Sequence, residues 1–144
     1  SSLLERVHLA GVNVVETDVL FDGEAVRSMG QVSTWNLAPR GGLLAGCSTL
    51  DVRRSTFEGM PIGILWSGST GVVEHTTFTD GEPISPKYKT IKSGIYVQED
   101  PVTFEPADLD LRSSKLARLP EYALGIDEGT ATVESTFFQD NTPE

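Results

Sequence analysis

Two segments of the chain, residues 21–41 and 79–93, carry the side chains best suited to binding chemistry. They combine aromatic and basic residues, namely Trp35, Arg40, Lys87, Tyr88, Lys89 and Lys92. Aromatic rings stack on the apolar faces of sugars, and Lys and Arg pair with carboxylates or sulfates. This combination predicts an acidic-saccharide site between the two segments. The alternative, which the length of both loops favours, is that Trp35 and Ile91 anchor the loops to the body while the lysines stay solvated.

A second group consists of four acidic residues at the ends of two predicted strands: Glu99, Asp100, Asp127 and Glu128. Carboxylate oxygens suit Ca²⁺, and glycoside hydrolysis requires a pair of carboxyl groups. The group is therefore the best candidate for a metal site, and apart from Ca²⁺ no cofactor is predicted. The alternative is a set of acidic turn residues that face solvent.

Other catalytic signals are weak. A polysaccharide lyase needs a base beside the uronate carboxylate and a cation that stabilises the developing charge. Arg53, Arg112 and the lysine cluster could serve, but no motif selects one of them. His75 falls inside a repeat, which favours a structural role. The sequence contains no Gly-x-Ser-x-Gly elbow, phosphate-binding glycine loop or His-based metal motif. It therefore leaves the enzyme question open and leans against catalysis.

The elements that must position these residues form a repeat. Four segments have an aliphatic residue followed five positions later by a large apolar one, with small hydroxyl residues between them: 52–57, 73–78, 111–116 and 133–138. Residues 15–20 fit as a fifth copy. A short alternating run begins ten residues before three of the copies. Alternation is typical of a strand with one face inward, so a coil of about twenty-one residues is predicted.

Two sets of equivalent positions test whether such coils stack in register. The position after the leading aliphatic residue alternates in charge along the chain, through Glu16, Arg53, Glu74, Arg112 and Glu134. Opposite charges at neighbouring positions of adjacent strands attract each other. The last apolar position of each copy predicts a buried column of Leu20, Phe57, Phe78, Leu116 and Phe138.

The pattern Gly-Ile-x-Val, followed by Val-x-x-x-x-Phe and an Asp-Gly or Asp-Asn turn, resembles the parallel β-helix repeat of pectate-lyase-like proteins. The resemblance is good over residues 42–141 and weaker over residues 4–23. It implies an all-β, right-handed parallel β-helix of about five coils, with two long loop insertions on one side. In the enzymes of that family, Arg or Lys often serves as the base and acidic residues hold Ca²⁺. The family also contains non-catalytic surface proteins, so fold does not assign function. A β-sandwich of seven or eight strands is the alternative fold.

Composition sets the remaining limits. The chain has 144 residues, enough for one domain, and a formal net charge of −10. An acidic surface repels nucleic acid and anionic membranes, so neither is an expected partner. The single Cys47 excludes an internal disulfide and is expected to act as a small apolar residue. The chain begins with Ser1 rather than Met, which we interpret as a piece of a longer protein.

The sequence therefore predicts a single parallel β-helix domain over residues 1–144, with insertions at 21–41, 79–93 and 100–108. The leading hypothesis is a non-catalytic module of a secreted or cell-surface protein that acts in adhesion, as a stalk or in saccharide binding. One alternative is part of a carbohydrate-active enzyme, a polysaccharide lyase or glycoside hydrolase. The other is an assembly domain that associates through its open ends. Expected partners are a polysaccharide or other cell-surface ligand, and the rest of a larger polypeptide or a second chain at the ends.

Overall fold

The structure is a computed structural model of the chain, and it describes residues 3–7, 10–29, 41–59, 62–81, 93–119 and 122–141. These residues contain sixteen β-strands and no helix. The part of the chain that is described thus has no helix that could span a membrane.

The strands form three sheets. Sheet 1 contains β2 (Ala10–Val15), β5 (Gly41–Gly46), β8 (Ile62–Ser67), β11 (Ser93–Gln98) and β14 (Tyr122–Asp127). Sheet 2 contains β3 (Asp18–Asp22), β6 (Thr49–Arg53), β9 (Thr70–Glu74), β12 (Ala107–Arg112) and β15 (Gly129–Glu134). Sheet 3 contains β1 (Leu3–Val7), β4 (Ala25–Met29), β7 (Thr56–Glu58), β10 (Thr77–Thr79), β13 (Lys115–Ala117) and β16 (Phe137–Gln139).

Neighbouring strands in all three sheets are parallel, and each sheet takes every third strand of the chain. Three consecutive strands, one from each sheet, therefore make one rung of a stack. The all-β prediction is confirmed, and the parallel sheets are consistent with the predicted parallel β-helix. The sandwich alternative is wrong for the described residues, because sandwiches of that kind are built from antiparallel sheets.

Alternating burial explains why these segments form strands. In β12, Ala107, Leu109 and Leu111 are buried, and the residues between them face outward. Side chains of a strand point to opposite faces in turn, so this pattern places one face in the core of the stack and the other in solvent. The sequence signal of alternation thus reports the inside and outside of each rung.

The predicted buried column is confirmed from Phe57 to Leu116, whereas Phe138 continues it in register but is 45% exposed. Phe57 pairs in register with Phe78, Phe78 with Leu116, and Leu116 with Phe138. The Phe57 and Phe78 rings are stacked, with centroids 5.0 Å apart and an interplanar angle of 6°. Such ring contacts add to the stabilisation that comes from buried apolar area.

The first repeat lies six residues later than predicted. Phe21, rather than Val15, pairs with Val52, and Val26, rather than Leu20, pairs with Phe57. Leu20 lies on the outer face of β3 and is 64% exposed. The register that forms buries Phe21, whose ring stacks on Phe57 with centroids 5.6 Å apart. The larger buried ring accounts for this choice of register.

The corrected register also changes the boundaries of the predicted insertions. Residues 21–22 end β3 and residues 25–29 form β4, with a two-residue turn between them, so this part of the predicted insertion is not a long loop. The rest of the 21–41 segment up to residue 40 lies outside the described residues, as does 82–92 of the 79–93 segment. Residues 99–106 form a loop between β11 and β12, which overlaps the predicted insertion 100–108, and residues 107–108 belong to β12.

Two glycines permit close contact between rungs. A Cβ at Gly63 would lie 2.5 Å from the Phe78 ring and 2.5 Å from the Gly94 carbonyl oxygen. Gly71 has a φ of +139°, and a Cβ there would lie 1.9 Å from the Leu50 carbonyl oxygen. Both positions therefore require glycine, the first for space and the second also for its backbone conformation.

Candidate functional site

A ladder of hydroxyl groups occupies the turn between sheets 2 and 3. Its members are Ser55, Thr76 and Ser114, which are buried, and Thr136, which is half-buried. Each hydroxyl donates to the carbonyl oxygen two residues earlier, as Ser55 Oγ does to Arg53 at 2.7 Å. Each also accepts from a backbone N–H of the preceding rung, as Ser114 Oγ does from Thr76 at 3.2 Å. The small hydroxyl residues of the repeat are therefore structural, because they satisfy buried polar groups.

The residue that precedes each member of the hydroxyl ladder has a left-handed backbone conformation. Arg54, His75, Ser113 and Ser135 have φ values of 46°, 50°, 44° and 47°. The His75 side chain points to solvent, with Nε2 4.0 Å from the Glu74 carboxylate. Its place in a regular series of turns agrees with the structural role that its position in the repeat predicts.

The predicted charge ladder is present in register from Arg53 to Glu134, and its first member is corrected. Asp22 pairs with Arg53, in place of the predicted Glu16, which lies in a turn with a φ of 49°. The column therefore contains Asp22, Arg53, Glu74, Arg112 and Glu134. Its charge alternates at every step, so each member faces an opposite charge on the adjacent strand.

The closest ion pairs of the two ladder arginines lie within their own strands. Arg53 Nε donates to Asp51 Oδ1 at 2.6 Å, and Arg112 pairs with Asp110 in the same way. The hydrogen bond with Asp51 raises the pKa of Arg53, and the hydrogen bond with Asp110 raises the pKa of Arg112. A general base must be deprotonated to act, so these contacts disfavour either arginine as the base of a lyase.

A second alternating column lies at the turns that follow sheet 3. Asp80, Arg118 and Asp140 occupy equivalent positions, with φ values of 54°, 54° and 52°. Arg118 Nη2 donates to Asp80 Oδ2 at 2.9 Å and to Thr79 Oγ1 at 2.8 Å. The guanidinium of Arg118 lowers the pKa of Asp80, and the pKa of Arg118 is raised, mainly by Asp80 and also by the charge of Asp140.

The four acidic residues predicted as a metal site divide into a pair and two single residues. Glu99 and Glu128 lie at neighbouring turn positions, and interaction with the Glu128 side chain is the main cause that raises the pKa of Glu99. Asp100 Oδ1 accepts the N–H groups of Val102 and Thr103 at 2.9 and 2.8 Å, which lowers the pKa of Asp100. Asp100 is thus committed to the turn of its own loop.

Asp127, the last of the four, lies beside the Tyr96 ring. Burial of that ring, and then the nearby Asp127 carboxylate, raise the pKa of the Tyr96 hydroxyl. Within the described ranges, no group of three or more His, Cys, Asp and Glu side chains is arranged to hold a metal ion. Calcium binding therefore stays a prediction.

The free thiol is close to the same loop. Cys47 Sγ lies 3.5 Å from Thr103 Oγ1. This hydrogen bond lowers the pKa of the thiol, but burial and the neighbouring acidic side chains outweigh it, and the pKa is raised. A raised pKa keeps the sulfur protonated, which suits the predicted unreactive cysteine.

The aromatic and basic residues of the predicted saccharide site all fall outside the described part of the chain. They are Trp35, Arg40, Lys87, Tyr88, Lys89 and Lys92. The structure therefore leaves that prediction as it stands.

The most distinctive surface is the terminal rung, which consists of β14, β15 and β16. In the preceding rung, the inward-facing residues Val97, Leu111 and Leu116 are each 0% exposed. Their partners in the terminal rung are Ile126, Val133 and Phe138, which are 48%, 41% and 45% exposed. The apolar columns of the core therefore continue to a surface that no other described residue covers.

A groove of ≈ 590 Å³ lies at β14, the outermost strand of sheet 1. It is lined by Tyr96, Tyr122, Leu124, Gly125, Ile126 and Asp127. The Tyr96 ring packs over Gly125, where a Cβ would lie 2.6 Å from the ring. Apolar groups, one carboxylate and a strand edge thus occur together at this end of the stack.

The rim of the terminal rung is acidic at all three turns. Asp127 is the last residue of β14 and Glu128 follows it, Glu134 is the last residue of β15, and Asp140 follows β16. All four side chains are exposed, and residues 122–141 contain no Lys, Arg or His. Sequence reasoning identified the first three of these residues but missed Asp140. The signal that would have identified Asp140 is the alternation of charge through Asp80, Arg118 and Asp140 at equivalent turns.

No protein-family model matches the chain, and no match was found among curated proteins or among solved structures.

Proposed function

We propose that the chain is a right-handed parallel β-helix of about five coils that serves as a non-catalytic structural module of a secreted or cell-surface protein. The observation that carries this proposal is the hydroxyl ladder from Ser55 to Thr136, which links every rung that it crosses. It runs beside the stacked rings of Phe57 and Phe78. Polar and apolar contacts thus repeat together along the axis.

A stack of this kind resists bending. To open one rung, the chain must break parallel strand pairings in three sheets, the hydroxyl contact and the apolar contact at the same step. These contacts suit a stalk or a rigid support for adhesion. Saccharide binding by the segments that contain Trp35 and Lys87 is part of the same proposal, with a polysaccharide as the expected ligand.

The enzyme alternative has weaker support. Glycosidases hold their two carboxyl groups about 5 Å apart or farther. Glu99 and Glu128, the acidic pair that the fold brings together, follow the paired residues Gln98 and Asp127, and Glu128 raises the pKa of Glu99. The arginines considered for a lyase mechanism are paired with Asp51 and Asp110. These ion pairs keep both arginines protonated, which does not suit the base of a lyase.

The test is a screen of the purified chain against neutral and acidic polysaccharides, with and without Ca²⁺. Binding is measured by calorimetry, and turnover by reducing ends and by the ultraviolet absorbance of unsaturated products. We expect no turnover. Formation of either product, abolished by Glu128→Gln or Arg53→Ala but not by Glu105→Gln, would establish the enzyme alternative.

The third function, assembly through an open end, has its own supporting observation. Ile126, Val133 and Phe138 continue buried columns but are almost half exposed. Exposed apolar columns together with outermost strands are the features to which another strand adds. We propose that the terminal rung accepts a further layer of β-structure. Substitution of Val133 and Phe138 by Ser should abolish any such association, and circular dichroism of the variant checks that the fold is retained.

A further inference from the structure

We infer that the terminal rung docks a β-strand partner that has an apolar inner face and carries Arg or Lys beside Glu134 and Asp140. This inference rests on the proposed assembly function and names the chemistry of the partner. The apolar part of the surface contains Ile126, Val133 and Phe138. Because those side chains continue the core columns, a partner strand must place its own apolar residues at the same register.

The charge ladder of sheet 2 specifies the first polar contact. From Asp22 to Glu134 the column alternates in sign at every step. Glu134 has Arg112 on its inner side, and its outer side faces away from the described rungs. A cation at the next position continues the alternation, whereas a carboxylate there would lie at strand spacing from Glu134 and repel it.

The turn after sheet 3 specifies the second contact independently. Asp80 and Arg118 form a hydrogen-bonded ion pair, and the charge of Asp140 acts on Arg118 from the other side. This column also ends on an acidic residue at the terminal rung. Two separate columns, in different parts of the rung, thus require the same sign of charge in the next layer.

The third turn agrees with the other two. Glu99 and Glu128 follow the paired residues Gln98 and Asp127, so they lie at neighbouring turn positions, and Glu128 is the main cause that raises the pKa of Glu99. Two carboxyl groups so close to each other favour a nearby cation. Asp127 adds a further negative charge at the same turn.

A second copy of this chain fits less well. In-register stacking of the two opposite ends would place β3 of the copy against β15, and Asp22 beside Glu134. Contact between two terminal rungs would bring together two rims that lack any basic residue. Stacking of opposite ends places like charges at Glu134, although it puts Arg6 at the register position beside Asp140. Contact between two terminal rungs places like charges at both positions. A partner that is basic at both positions therefore fits better than a second copy.

The probe is a synthetic, fluorescently labelled peptide with the sequence of residues 107–119. Within the intact chain, this segment pairs with β15 so that Arg112 lies beside Glu134. Arg118 occupies the turn position next to Asp140, one rung earlier in the same column. The repeat allows the same sequence to add to the outer side of β15 and β16. The matched control peptide carries Arg112→Glu and Arg118→Glu, and both are titrated with the intact chain by fluorescence anisotropy. Because the charge change is in the peptide, the fold of the chain is not disturbed.

We expect saturable binding of the first peptide that weakens with added salt, and about tenfold weaker binding of the control, since two attractions become repulsions. A chain carrying Glu134→Arg and Asp140→Arg should reverse this preference. Equal binding of both peptides would overturn the basic partner but leave docking in place. If neither peptide binds, both this inference and the assembly function are overturned.

Discussion

Phe57 and Phe78 lie on neighbouring strands of sheet 3 with their rings parallel and 5.0 Å apart. This distance is close to the spacing of about 4.8 Å between adjacent strands. Ring stacking and backbone pairing therefore share one repeat distance, and neither strains the other. Each side chain is 1% exposed. The aromatic column thus forms part of the same periodic structure as the hydrogen bonds.

Phe78→Ala should destabilise the protein by about 3–5 kcal/mol, because it removes a buried ring and leaves a cavity between Phe57 and Leu116. Urea unfolding, followed by circular dichroism, measures the change. Phe137→Ala is the matched control, since that ring is 58% exposed in the neighbouring column, and it should cost far less. A loss below about 1 kcal/mol for Phe78→Ala would contradict the register described for sheet 3.

Gly63→Ala should destabilise the protein strongly, although the change adds only one methyl group. The new Cβ would lie 2.5 Å from both the Phe78 ring and the Gly94 carbonyl oxygen, and the carbonyl cannot move without disturbing β11. We expect a loss of about 1–3 kcal/mol. Gly46→Ala is the control, because a Cβ there has no atom within 4 Å. Similar midpoints of thermal unfolding for the two variants would argue against the close packing of sheet 1 on Phe78.

The sequence predicted the stack because its residues repeat with the period of the rungs. Val52 and Val73 are twenty-one positions apart and pair in register. The first rung was misplaced because residues 15–20 and 21–26 both have apolar residues five positions apart. What distinguishes them is that the second places Phe21 against Phe57, a contact between residues far apart in the sequence. Spacing alone does not report such a contact.

The candidate site was predicted only in part, for a different reason. Glu99 and Glu128 occupy equivalent turns, so their proximity followed from the repeat. Asp100 Oδ1 accepts two backbone N–H groups of the loop that follows it, and this local bonding could not be predicted from the repeat. Asp140 was missed because its role depends on the alternation of charge with Asp80 and Arg118, and only the register of sheet 3 places these three turn residues in one column.

Thr76→Val should cost roughly 1–3 kcal/mol. The substitution keeps the shape of the side chain but removes the hydroxyl that donates to the Glu74 carbonyl oxygen at 3.0 Å and accepts the Ser55 N–H. Both of these groups lie at a buried turn, so they lose a partner without gaining water. Thr49→Val changes an exposed threonine on the outer face of sheet 2 and should be nearly neutral. Hydrogen exchange should show faster exchange of the Ser55 amide only in the first variant.

Stability should fall in acid partly through Asp80. The pKa of this carboxyl is lowered from the ordinary value of 3.8, mainly by its hydrogen bond with Arg118. A group with a depressed pKa in the folded state stabilises the fold above its unfolded pKa, and this contribution is lost as pH falls through the folded pKa. Asp80→Asn should therefore lower the unfolding temperature at pH 7 and have a diminishing effect below pH 4. A difference from wild type that stayed constant down to pH 2 would contradict this role.

The charge ladder predicts that Glu74 and Arg53 are energetically coupled. Glu74→Lys places a cation between Arg53 and Arg112, and the two repulsions should lower stability slightly. Adding Arg53→Glu restores one attraction, so the double variant should be more stable than the sum of the single effects predicts. Rescue will be partial, because the second change also breaks the Arg53 contact with Asp51. The combination of Glu74→Lys with Arg118→Glu, which lies at a different turn, should be additive. Coupling that is absent, or that does not weaken in high salt, would show that the alternating column contributes no electrostatic stabilisation.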